Sequence, residues 1–135
     1  MTDTVTVTKL FDGIHTCEYE FTNQSDGTGE TEVKKIDLTD LVGSTGALTG
    51  GDRPSSLSLL KVEYETTFTL VKMLWDRSPT NEVAAVMVGH GEICHKSGKH
   101  DPKRGQDGTG DILITTVGTV RDMTYTIRAK FRKKY

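Results

Sequence analysis

No stretch of this 135-residue chain approaches the roughly 18 consecutive apolar residues that cross a bilayer as a helix, so no membrane partner is expected. The opening MTDTVTVTKL has neither a basic n-region nor an apolar h-region, which points to synthesis in a reducing cytoplasm rather than secretion. Only two cysteines occur, Cys17 and Cys94, and in a reducing compartment both are expected as free thiols. Convincing helical stripes are also missing. Nowhere do apolar residues recur at i, i+3 and i+4 for three turns, and the best helical candidate, DLTDLVGS, is long enough for a single turn.

Apolar material is sparse as well. Hydrophobic residues make up 34 %, low for a compact globule, and this suggests that some surface is covered by partners rather than by the chain itself. A net charge of −2 gives no general reason to bind nucleic acid, so that partner class is not expected. The charge is nonetheless divided: residues 1–60 carry a net −6 and residues 61–135 a net +4. Such polarity suits packing between copies or against an oppositely charged partner.

What is present is alternation. TVTVTKL sets Val5 and Val7 on one face and threonines on the other, as in a half-buried strand. HTCEYEF gives Cys17, Tyr19 and Phe21 one face and Glu18 and Glu20 the other. MTYTIRAKFR does the same with Tyr125, Ile127, Ala129 and Phe131 against Thr126, Arg128, Lys130 and Arg132. EVKKIDL, EVAAVMV and DILITTV are further strands. SLSLLKVEYETTFTLVKMLW is too long for one straight strand, so a turn or bend is expected near Glu65-Thr66-Thr67. Leu57, Leu59 and Lys61 share one parity in its first part, and Phe68, Leu70, Lys72 and Leu74 in its second. Trp75 is expected as a core anchor. Leu41–Ser56 and Gly89–Gly110 read as two long loops. The expected fold is a single all-β domain over residues 1–135, an antiparallel β-sandwich or jelly-roll-like barrel.

Four features of the chain are candidates for chemistry. His90, Cys94, His95 and His100 are zinc-ligand types, but their spacing matches no zinc pattern, and Lys96 and Lys99 put positive charge beside them; no metal is expected. The tetrapeptide Asp-Gly-Thr-Gly occurs twice, at residues 26–29 and 107–110, each time followed by a carboxylate, Glu30 or Asp111. Neither copy supplies the six or so oxygens of a calcium loop or the lysine of a phosphate loop. Both are expected to be tight turns beside strands. No Gly-x-Ser-x-Gly elbow occurs, and Cys17 lies among glutamates that would raise its pKa, so no catalytic residue, cofactor or enzymatic activity is expected. The C-terminal RAKFRKKY, with Arg128, Lys130, Arg132, Lys133 and Lys134, reads as a strand with a basic outward face.

Three stretches, taken together and in order, resemble a family of small virion structural proteins of tailed bacteriophages: FTNQSDGTGETEVKKIDL (Phe21–Leu38), VKMLWD (Val71–Asp76) and GTGDILITTVGTVRDMTYTIRAKFRKK (Gly108–Lys134). The resemblance covers about half the chain. It implies a β-sandwich on the outer surface of the head, a decoration or cement protein bound to the major capsid protein. It also implies a homo-oligomer, trimer or dimer, with trimers at threefold positions. It brings no catalytic residues. The chain departs from the family pattern over Gly89–Arg104, where three histidines, a cysteine and four basic residues replace an aromatic, less basic segment. A tail or neck component and a carbohydrate-binding β-sandwich module are the alternatives, and both long loops lack the aromatic residues of a lectin.

Overall fold

The computed structural model describes residues 4–27, 29–43, 54–77, 81–99, 101, 109–118 and 121–134. Seven strands form one antiparallel sheet: β1 (Thr4–Asp12), β2 (Thr16–Asp26), β3 (Val33–Ile36), β4 (Ser56–Trp75), β5 (Glu82–Lys99), β6 (Ile112–Val117) and β7 (Arg121–Lys134). Their order is β1-β2-β7-β4-β6-β3, with β5 along the other side of β4. The sheet curls until it is nearly closed, which is the all-β sandwich or barrel expected from the alternation. Among the described residues no helix is long and apolar enough to cross a membrane. DLTDLVGS contributes one 3-10 turn, Leu38–Asp40, capped by Asp37, whose Oδ1 accepts from the Thr39 amide at 2.9 Å.

The architecture follows from a fold in the longest strand. The Trp75 indole N–H donates to the Leu57 carbonyl at 3.1 Å. A straight strand would hold residues eighteen apart at roughly 59 Å, so β4 doubles back on itself. Ser56–Thr67 pairs with β7, and Leu70–Trp75 pairs with β6. Strand β5 follows β4 around the same bend, its pairing shifting between Glu65↔His90 and Leu70↔Val88. The crease is tied by two threonines. Thr66 Oγ1 donates to the Thr69 carbonyl at 3.2 Å and accepts from the Gly89 amide at 2.7 Å, while Thr69 Oγ1 donates to the Val117 carbonyl at 3.1 Å. Gly89 (φ +76°) and Gly118 (φ +71°) supply the left-handed backbone on either side. The expected break near Glu65-Thr66-Thr67 is therefore a corner within a continuous strand, of the kind that carries strands from one packed layer to another.

Between the layers lie Cys17, Tyr19, Phe21, Tyr125, Ile127, Ala129 and Phe131 of β2 and β7, facing Val71, Met73, Trp75, Met87, Ile112 and Ile114. Trp75 is the expected core anchor. Four expectations are corrected. Gly89–Lys99 is strand rather than loop, because β4 offers it a partner around the corner; residues 100 and 102–108 lie outside the described residues, as do 44–53 of the other loop. The parity of Leu57, Leu59 and Lys61 is broken by a bulge at Leu60, so Val62 turns inward while Lys61 faces its charged neighbours Glu63 and Glu92. In the second half of β4 the deepest face is Val71, Met73 and Trp75, although Leu74 is also buried; the side chain of Phe68 lies outside the described residues. Finally, β1 is not half-buried: Val5 and Val7 are exposed, because β1 is an edge strand paired only with β2 among the described residues.

Candidate functional site

In the described parts of the two Asp-Gly-Thr-Gly copies, Asp26 ends β2 and Gly27 is a bend, while Gly29, Thr109 and Gly110 have no regular structure. Gly27 (φ +108°), Gly29 (φ +73°) and Gly110 (φ +76°) adopt the left-handed backbone that glycine accepts; Thr28, Asp107 and Gly108 lie outside the described residues. What each copy does is deliver the following carboxylate into the interior. Glu30 is buried, and its Oε1 accepts from Asn23 Nδ2 at 2.7 Å and from the Tyr125 hydroxyl. Its Oε2 forms an ion pair with Lys35, itself buried. The main chain of Glu30 is fixed by Thr116, whose Oγ1 accepts the Glu30 amide and whose amide donates to the Glu30 carbonyl, both at 2.9 Å.

Asp111 is the counterpart. It is buried, its Oδ1 accepts the Leu38 amide at 2.9 Å, and its Oδ2 pairs with Lys34 at 3.0 Å. The bond from Lys34 to Asp111, together with the charges of Asp111 and Asp37, raises the Lys34 ammonium above its ordinary range. Thus the two tetrapeptides seat two acids on two consecutive lysines of β3. Lys35 projects inward and Lys34 outward, as strand alternation requires. Beside Asp111, Thr109 Oγ1 donates to Asp76 Oδ2 at 2.8 Å, and Arg77 is locked to Asp101 (Nε–Oδ1 2.9 Å, both buried). Nothing in the sequence marks Asn23 or Lys35, and Tyr125 is marked only as one of the alternating apolar face of the last strand. The available signal was the carboxylate following both tetrapeptides.

The candidate metal ligands are not brought together. His90 lies opposite Glu65 and Cys94 opposite Lys61, both exposed on β5. Four residues along a strand separate positions by roughly 13 Å, too far for one tetrahedral ion. His95 sits where β5 loses register with β4, and His100 lies outside the described residues. Among the described residues no group of three potential ligands forms.

Cys17 is fully buried and its thiol is pushed up to about 12, chiefly by burial, with a smaller contribution from Asp12. The raised value fits the expected unreactive thiol; the cause is the interior rather than Glu18 and Glu20. The basic C-terminal strand is divided by alternation. Arg128, Lys130 and Arg132 are exposed, but Lys133 turns inward to an ion pair with Asp12 and donates to the Val42 carbonyl at 2.7 Å. Burial opposes ionisation of Asp12, yet the bonds from Lys133, the Val42 amide and Lys9 outweigh it and hold the carboxyl below its usual range.

Two surfaces remain. Glu20, Arg128, Glu63 and Glu92 are successive neighbours across β2, β7, β4 and β5, a row of alternating charge that ends in two acids. With Tyr64 and His90 they line an open groove of about 560 Å³. On the other half of the molecule the outward face carries an apolar patch, with Lys72 between Val86 and Thr115 as its charged member. Val88, Leu70 and Val117 are directly opposed across three strands, and Val86 and Val83 continue the patch along β5. Val88 is 62 % exposed and Val117 48 %. The chain matches no protein-family model, no curated protein sequence and no solved structure.

Proposed function

We propose that this chain is a structural protein of a tailed-bacteriophage virion, a decoration or cement protein that binds the outer surface of the major capsid protein lattice and stabilises the head. The observation that carries the reading is the exposed apolar patch on the outer face of β4, β5 and β6, in which Val83, Val86, Val88 and Val117 flank Lys72. Its opposite face already packs the core through Val71, Met73, Met87 and Ile114. A sheet apolar on both faces is the pattern of a sheet covered on both faces, and contiguous exposed apolar area of this kind marks interaction surfaces. The resemblance of Phe21–Leu38, Val71–Asp76 and Gly108–Lys134 to phage virion proteins supplies the partner class. The exposed edge β1, with Thr4, Thr6 and Thr8 alternating with Val5 and Val7, suits strand addition to a neighbouring subunit. Many such contacts, each of modest affinity, would resist internal pressure through avidity.

The test is addition of the purified protein to undecorated heads, followed by thermal rupture and electron microscopy. The expected outcome is density at regular lattice positions and a higher rupture temperature. Density on tail or neck alone would replace the head assignment with the tail one. Absence from the particle would end the virion reading.

A further inference from the structure

The buried cluster at the first tetrapeptide contains an amine, a carboxamide and a carboxylate, and we propose that it is a site of self-modification: Lys35 and Asn23 join in a side-chain amide bond, with Glu30 as the proton-transferring catalytic residue. Three observations carry this. Glu30 contacts both reacting groups, Asn23 Nδ2 on Oε1 at 2.7 Å and Lys35 Nζ on Oε2. One carboxylate therefore gathers amine and amide, the arrangement that converts an improbable encounter into a local reaction. All three side chains belong to buried residues, so water, the competing nucleophile, is kept out. Tyr125 donates its hydroxyl proton to the same Oε1 and fixes the carboxylate, which makes it a positioning residue.

The chemistry balances without an outside reagent. Lys35 Nζ passes a proton to Glu30, an exchange that also removes two buried charges. The neutral amine attacks Cγ of Asn23, and a C–N bond forms. Glu30 returns the proton to Nδ2 and takes up the second proton from the attacking nitrogen, the Cγ–Nδ2 bond breaks, and ammonia leaves with Glu30 in its neutral carboxylic acid form. One amide replaces another, and nothing is oxidised or reduced.

The location gives the bond a purpose. Asn23 lies on β2, next to one end of the sheet, and Lys35 lies on β3, the strand at the other end. A covalent Lys35–Asn23 link would clasp the open seam of the nearly closed sheet. The inference stands apart from the virion reading, since it concerns the chain alone.

The experiment is intact-mass measurement of the purified, denatured wild-type protein with peptide mapping. The expected result is a mass lower than the sequence by one ammonia, loss of tryptic cleavage after Lys35, and a branched peptide joining the segments of Asn23 and Lys35. Lys35→Arg, Asn23→Ala and Glu30→Gln should each restore the full sequence mass. A wild-type mass equal to the sequence overturns the proposal, whatever the variants do. So does a deficit that persists in Lys35→Arg, which would mean an asparagine cyclised elsewhere. A deficit of one water, mapping to Lys35 and Glu30, would overturn the assignment to Asn23.

Discussion

Buried ionisable groups decide the chemistry of this molecule one residue at a time. Lys35 and Lys133 are both interior, and each is met by a carboxylate carried in from a loop or strand end, Glu30 and Asp12. Breaking such a pair leaves a charge with no solvent, which is costlier than never having built it. Cys17 presents the opposite case, a group that is stable only while neutral. Its thiol rises from 9.0 to about 12 in the folded state, and Tyr19 beside it is raised as well, mainly by burial. A raised acid contributes stability that is complete below the unfolded value. That stability drains away as the pH climbs from about 9 towards the folded value. Between pH 8 and pH 10 the Cys17 thiol alone should remove about 1 kcal/mol of folding free energy. Urea denaturation of the wild type and Cys17→Ala across that range checks this. Equal losses in both proteins would show that the thiol is not the group responsible. The residue scale is also where the sequence was least legible. Glu18 and Glu20 stood out as neighbours of Cys17, but alternation points them away from it. The burial that does raise the thiol comes from the shared core, in which the register partner of Cys17 is Phe131 of β7, remote in sequence.

Among elements, β2 and β7 were legible because each keeps strict alternation with one face in the core. Cys17, Tyr19, Phe21 and Tyr125, Ile127, Ala129, Phe131 fall where the pattern puts them. Strands β4 and β5 were not, because their course depends on each other. The Thr66–Thr69 corner is closed by an amide from Gly89 and a carbonyl from Val117, neither of which is visible in the local sequence. Glycine-rich Gly89–Lys99 looks like a loop until β4 is there to pair with it. The corner also makes Gly89 testable. A Cβ at that position meets nothing within 4 Å, so only its φ of +76° resists substitution. Gly89→Ala should therefore cost about 1–2 kcal/mol through backbone conformation alone. Chemical denaturation measures it. Gly91 offers the contrast, since a Cβ there comes within 2.9 Å of the Tyr64 hydroxyl and the penalty is steric. A neutral Gly89→Ala would mean that the crease is set by the threonines and not by the glycine.

Taken whole, the molecule divides its outer surface between two halves of different character. One half of the sheet has a charged outer face, satisfied by water and by pairs such as Arg128–Glu20 at 2.9 Å. The other half exposes an apolar patch around Lys72 that water does not satisfy. The low apolar content leads to the expectation of a surface covered by partners, but the position of the exposed apolar patch could not be read from EVAAVMV or DILITTV. Which valines lie outside depends on the bulge that shifts pairing from Met73↔Ala85 to Leu74↔Val83. That bulge leaves Val83, Val86 and Val88 on one side, and Val88, the most exposed of the three at 62 %, has no role in the core. Val88→Lys should accordingly leave stability within about 0.5 kcal/mol of the wild type, as exposed substitutions do. It should nonetheless abolish attachment to undecorated heads, because a lysine buried in an apolar contact is strongly disfavoured. Circular dichroism melting establishes the first half, and co-sedimentation with heads the second. A folded Val88→Lys protein that still binds would move the lattice contact off this face, leaving the edge strand β1, with its exposed Val5 and Val7, to carry it.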